Sequence, residues 1–313
     1  MGRAHQGSGR AGGLSPVMEG FTRSEIQTSG ARIVTVRGGN GPPLLLLHGN
    51  PFTHLSWHKF APRLAQDFTV VATDLRGYGD SEKPPSQPDH ANYSFRAMAQ
   101  DNVEVMASLG FDKFMVAGHD RGARVTHRMC LDHPETVIRA SIHDIIPQHH
   151  LFNNVTQAWA TGAYHWFFMI QKAPMPERLM SADPDFFIEK KLAKTEQGLS
   201  FFGKHALEEY KRCFRNPETV RGMCEDYRAC ATVDLAMDTE DFAAGRKITC
   251  PVQLLWGATG QVGRQNDPPA IWKNYATDIR DARALPCGHY LSEEAPEETY
   301  RALRDFFATK SQA

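Results

Sequence analysis

The stretch Phe114-Met-Val-Ala-Gly-His-Asp120-Arg-Gly-Ala-Arg124 decides how the chain is read. An apolar run over residues 114–117 enters Gly118-His119-Asp120-Arg121-Gly122, and helical periodicity over residues 121–133 follows. This is the strand–turn–helix spacing of the G-x-S-x-G nucleophile elbow, with Asp where Ser would stand. Glycines at both ends suit a turn too tight for side chains. The turn lifts residue 120 clear of the strand onto a helix N-terminus, whose positive end favours an ionised carboxylate. A serine there attacks a carbonyl. A carboxylate instead displaces a leaving group from saturated carbon and is left as an ester. Water must then hydrolyse that ester, which calls for a general base and an oxyanion hole. Asp also caps helices well, so nucleophile and N-cap are both open readings of Asp120 on the turn alone.

Outward from the turn, short apolar runs occupy residues 32–36, 43–47, 69–75, 138–146 and 252–255, with helical periodicity over 94–109. Runs apolar throughout and separated by helices predict an α/β fold, a mostly parallel sheet with helices on both faces. The alternation stops at Pro147. Residues 147–246 read as helices only and are rich in aromatics, among them Trp159, Tyr164, Trp166, Phe186, Tyr210 and Tyr227. A strand–helix pattern resumes at Ile248. The expected organisation is a core of residues 21–146 and 247–313 interrupted by a helical cap, or lid, of residues 147–246. That cap would cover the carboxyl ends of the strands, where open parallel sheets bind ligands. Gly-rich, polar residues 1–20 read as a disordered extension, and Met18 offers an alternative start.

The 313 residues carry 35 basic and 36 acidic side chains, a net charge of −1, which argues against nucleic acid or a membrane surface as partner. At 41% hydrophobic the chain can build a core, yet it has no apolar run of transmembrane length and no secretory leader. The six cysteines show neither CxxC nor zinc-finger spacing. They read as free thiols of a reducing cytoplasm, with no metal or organic cofactor implied.

A base follows the last strand in Cys287-Gly288-His289. The chain order Asp120, acid, His289 is that of a nucleophile–acid–base triad. An imidazole titrating near neutrality suits the removal of a proton from water. Two carboxylates are candidates to orient it. Asp144, in Ser141-Ile-His-Asp144-Ile-Ile-Pro, is favoured over Asp267, in the loop after residues 252–255. His48-Gly49-Asn50-Pro51 follows an apolar run, so the backbone N–H groups of Asn50 and Arg121 would form the oxyanion hole, with His48 holding the loop. Arg121 and Arg124 flank the nucleophile on one helix face. They read either as a clamp for a small carboxylate substrate or as structural ion pairs.

Several stretches resemble the fluoroacetate (haloacetate) dehalogenases of the α/β-hydrolase superfamily: HGNPFTHLSWHKFAPRLA, DLRGYGDSEKP, AGHDRGARVTHRMCLDHPE, YHWFF, DPDFF, EDYRACATVDL and CGHYLSEEAPEE. The resemblance implies Asp120 as nucleophile, Asp144 and His289 as the rest of the triad, and Arg121 and Arg124 as the carboxylate clamp. It also implies His165, Trp166 and Tyr227 as halide donors, and a homodimer. On the residues alone, Trp166 and Tyr227 read equally as cap core. One departure is Asn50, where members of the family often carry Phe; Asn there resembles haloalkane dehalogenases, which however place Trp, not Arg, after the nucleophile. The expected reaction is hydrolysis of a short 2-haloacid. Epoxide hydrolysis, using tyrosines such as Tyr164, Tyr210 and Tyr227, is the alternative; plain haloalkane dehalogenation and silent binding of a small carboxylate rank below it.

Overall fold

The computed structural model describes residues 16–194 and 197–309. The apolar runs become strands because each is buried on both faces. In β3 (Pro43–Leu47) the side chains of Leu44 to Leu47 are fully buried, each contributing roughly 1.5–3 kcal/mol by leaving water. Around it stand β1 (Phe21–Gln27), β2 (Arg32–Gly38), β4 (Thr69–Thr73), β5 (Phe114–His119), β6 (Val137–His143), β7 (Val252–Gly257) and β8 (Ile279–Leu285). They form one eight-stranded sheet in the order β1-β2-β4-β3-β5-β6-β7-β8. All neighbours from β4 to β8 are parallel; β1 with β2 and β2 with β4 are antiparallel.

The parallel register puts the ends of β3, β5, β6 and β7 at one edge. Leu47 lies opposite Gly118, His119 opposite His143, and His143 opposite Leu255. The loops leaving β3, β5 and β6 therefore converge beside the end of β7, and they bring Asn50, Asp120 and Asp144 to the backbone of Gly257.

Between β6 and β7 the described residues hold helices and no strand, from Gln148–Asn153 to Leu235–Ala243. Pro217–Ala229 runs through a π-helical turn, Cys230–Asp234, into the last of them.

Three expectations need amendment. β6 ends at His143 rather than at residue 146, because Asp144 takes a positive φ of 50° and turns the chain out of the sheet. β1 was not expected at all. Its alternation is mostly solvent-facing, with only Phe21, Arg23 and Ile26 half-buried, so no apolar run marks it. The extension of residues 1–20 is too long by several residues: Met18 is 6% exposed within the core, and the Pro16 carbonyl accepts from His54 Nε2 at 3.0 Å. Residues 1–15 lie outside the described chain.

Candidate active site

Asp120 sits between β5 and helix Arg121–Asp132 with φ 51° and ψ −112°, a conformation costly for a residue with a Cβ. Close packing holds it there. A Cβ on Gly122 would lie 2.3 Å from the Leu47 carbonyl oxygen, and one on Gly49 would lie 2.5 Å from the Asp120 Cβ. Asp120 makes no side-chain cap to its helix, so the N-cap reading fails. Its Oδ1 instead accepts from the Asn50 N–H at 2.9 Å. The Arg121 N–H, the other expected oxyanion donor, is among those a helix start leaves unpaired.

His289 joins the two acids. Its Nδ1 lies 2.5 Å from Asp144 Oδ2, and its Nε2 lies 3.7 Å from Asp120 Oδ2. Asp144 is fixed in turn by the Gly257 N–H, 2.8 Å from its Oδ1. With Nδ1–H given to Asp144, the neutral imidazole turns its Nε2 lone pair, and the cation its Nε2–H, toward Asp120. The rival Asp267 caps helix Pro268–Trp272 through the Ala270 N–H and stays away from His289. Burial alone would raise the Asp120 pKa, but His289, His119 and Arg121 hold it well below the ordinary carboxylate range. Burial would lower that of His289, and the two carboxylates outweigh it and raise it. His48 is neutral: burial lowers it to about 4. It braces the loop between the Gly49 carbonyl, 2.8 Å from Nδ1, and the Leu75 N–H, 3.0 Å from Nε2.

The two arginines differ. Arg121 is fully buried and engaged. Its Nε donates to Asp226 Oδ2 at 3.0 Å, its Nη2 to Asp226 Oδ1 and to the Asp226 carbonyl, and its Nη1 to Cys230 Sγ at 3.4 Å. Asp226 also accepts from the Tyr78 hydroxyl at 2.5 Å, and Asn50 Nδ2 donates to that hydroxyl at 3.3 Å. Arg124 gives one bond, from Nη1 to the Ile146 carbonyl at 3.1 Å, and its Nε has no partner. Arg121 thus makes the structural ion pair that is one of its two readings, and Arg124 makes none among the described residues. One arginine faces the cavity with donors to spare, while the other has one N–H left of five.

A cavity of about 1110 Å³ opens beside these groups, lined by Asp120, Arg124, Asp144, His165, Trp166 and His289 among others. His165, Trp166 and Tyr227 cluster edge to face, with Tyr227 5.9 Å from His165 and 5.5 Å from Trp166 between ring centres. None of the three side chains hydrogen-bonds to protein among the described residues, and the Tyr227 hydroxyl is buried without a partner. Tyr164 also lines the cavity, whereas the Tyr210 hydroxyl is committed to Glu293 at 3.2 Å. Sequence reasoning missed Asp226, Tyr78 and Lys191. Only Asp226 left a trace, as an acid three and four residues from Met223 and Cys230, on the apolar stripe of its helix.

The family model for the alpha/beta hydrolase fold matches residues 42–296, and the chain belongs to that family. It is 43% identical to a fluoroacetate dehalogenase from Burkholderia sp, over 93% of this chain and 95% of that one. It is 31% identical to a soluble epoxide hydrolase from Corynebacterium sp. (strain C12), over 92% and 98% of the two chains. A solved structure from Nostoc sp PCC 7120, titled as an α/β hydrolase, superposes with a TM-score of 0.90 at 52% identity, covering 93% of this chain and 99% of that one.

Proposed function

We propose that the protein is a hydrolase acting on carbon–halide bonds, and that it converts a short 2-haloacid such as fluoroacetate to the 2-hydroxyacid and halide. The observation that carries the reading is Arg124, a buried cation with unpartnered donors on the cavity wall four residues from an ionised Asp120. A carboxylate-bearing substrate uses that cation; an epoxide does not. The 43% identity to a fluoroacetate dehalogenase supports the same substrate class.

In the first step Arg124 holds the substrate carboxylate, with the remaining Nη1 hydrogen of Arg121 beside it. An Asp120 oxygen attacks the halogen-bearing carbon. The carbon–halogen bond breaks as the ester bond forms, and the electron pair leaves with the halide. His165, Trp166 and Tyr227 donate N–H, N–H and O–H to that halide as charge develops on it, where such bonds act on the transition state. In the second step His289, oriented by Asp144, takes a proton from water. The hydroxide adds to the Asp120 carbonyl, whose oxyanion is met by the N–H groups of Asn50 and Arg121. Collapse expels the product alkoxide, which takes the proton back from His289 to become the hydroxyacid, and the Asp120 carboxyl loses its proton to solvent and is a carboxylate again. Esterification removes one of the two negative charges that raise the His289 pKa, which shifts the imidazole toward the neutral form that acts as base. His289 is 20% exposed, which admits the water.

Residues 147–246 act as the cap in this scheme, since they supply the halide donors and the far wall of the cavity. No metal or organic cofactor enters. The six free cysteines accord with a cytoplasmic enzyme, and the homodimer remains part of the proposal.

The test is to incubate the protein with fluoroacetate, chloroacetate and a styrene-type epoxide and measure free halide and diol. Halide release from the acids carries the reading. Diol without halide would replace it with epoxide hydrolysis, for which Tyr164 and Tyr227 are the cap tyrosines at hand.

A further inference from the structure

Lys191 stands in none of the roles above. It lies in helix Pro184–Leu192, is 5% exposed, and its Nζ makes one long hydrogen bond, 3.4 Å to the Asn50 carbonyl. No carboxylate forms an ion pair with it among the described residues. Its backbone carbonyl accepts from the Tyr290 hydroxyl at 3.3 Å, which ties the helix to the loop of His289. An ammonium has three donors, and two of these are unused. A buried cation without a partner is costly, so its retention needs a counter-charge. The residue whose carbonyl meets Nζ, Asn50, gives its own N–H to Asp120 Oδ1 at 2.9 Å, so Asp120 is an anion close at hand, and His165 is a second group that feels the ammonium. Burial lowers the Lys191 pKa to about 7, Lys194 and Arg121 add to that, and Asp120 opposes them.

Charge accounting gives the group a task. Of the buried cations at this site, Arg121 is neutralised by Asp226, while Arg124 and Lys191 are not. With substrate bound, Asp144 is matched by the His289 imidazolium 2.5 Å away, and two further anions remain, the substrate carboxylate and Asp120. After displacement the site again holds two, the carboxylate and the halide. Arg124 matches the first throughout. We infer that Lys191, as its ammonium, is the counter-charge for the second, balancing Asp120 before the carbon–halogen bond breaks and the halide after it. Lys191 acts on the halide through the field rather than by contact with the substrate, so it is a positioning residue. The inference rests on the dehalogenase reading, yet it has a measurable consequence without turnover.

Sodium bromide is titrated into wild type, Lys191→Met and Lys191→Arg, following the fluorescence of the cavity tryptophans Trp159 and Trp166. Rates are measured in parallel with fluoroacetate, chloroacetate and bromoacetate. Loss of a charged partner is expected to weaken bromide binding by about 10- to 100-fold in Lys191→Met, with Lys191→Arg close to wild type. The fall in kcat should be largest for fluoroacetate, because fluoride concentrates its charge most, while KM moves little. If Lys191→Met does not fold, Lys191→Gln carries the same comparison. Unchanged bromide affinity in the charge-free variant, or no bromide binding by wild type, overturns the inference. If wild type releases no halide from any of the three acids, the dehalogenase reading falls, and the bromide titration alone decides the role of Lys191.

Discussion

Asp120, Asp144 and Asn50 are placed by backbone: parallel strands deliver them to one edge, and turns set by close packing aim them. Arg121, Tyr227 and Lys191 are placed by side chains that reach between the core and the helical segment of residues 147–246. The first arrangement tolerates little change in angle and suits bond making. The second gathers charge and donors from helices distant in sequence and suits the stabilisation of an ion. In the proposed reaction, nucleophile and base sit on the half placed by backbone, and the leaving group is received by the half built from packed helices.

Breaking the core half has the largest effect. Asp120→Asn is expected to reduce halide release by about 10⁴-fold or more, measured by ion chromatography, as when other covalent catalysts lose their nucleophile. His289→Asn should release one equivalent of halide and stop, with the ester visible on the Asp120 peptide by mass spectrometry; absence of an adduct after exposure to an active haloacid would sink covalent catalysis. The helical half responds differently. Asp226→Asn leaves Arg121 buried and uncompensated, so thermal or denaturant unfolding should report a loss of about 3–5 kcal/mol. Arg124→Met should spare stability and reduce kcat/KM by about 10- to 100-fold, the worth of a charged hydrogen bond. A matching fall in melting temperature would mean that Arg124, like its neighbour, is structural. The smallest effect is a shift in titration. His289 in the free enzyme is protonated up to a pH above its ordinary value because Asp120 and Asp144 favour the cation. Removing the Asp120 charge lowers that value, so NMR should find His289 titrating lower in Asp120→Asn than in wild type. The acid limb of ester hydrolysis, which needs neutral imidazole, should then lie below the free-enzyme titration.

The same division explains what could be read from the sequence. Asp120 was legible because a strand–turn–helix this tight demands glycines at fixed places. His289 and Asp144 were legible because strand ends order them along the chain. The fold followed from apolar runs, and β1 escaped because an edge strand facing solvent has none. Asp226 and Tyr78, 148 positions apart, meet only through packing. The commitment of Arg121 to Asp226 likewise belongs to tertiary structure; the turn that displays both arginines gives no sign of which will be free. Lys191 was hidden for the simpler reason that a helical lysine is ordinarily solvated.

Among the described residues, three other than glycine have positive φ, and two of them are Asp120 and Asp144. Each such conformation costs of the order of 1–3 kcal/mol. Selection for thermal endurance alone would therefore favour Gly at both positions and erase the proposed nucleophile and the carboxylate that holds His289. Descendants of this chain released from the need to turn over substrate should lose these two aspartates early, and a heat-tolerant variant found by screening for stability should be sequenced there first.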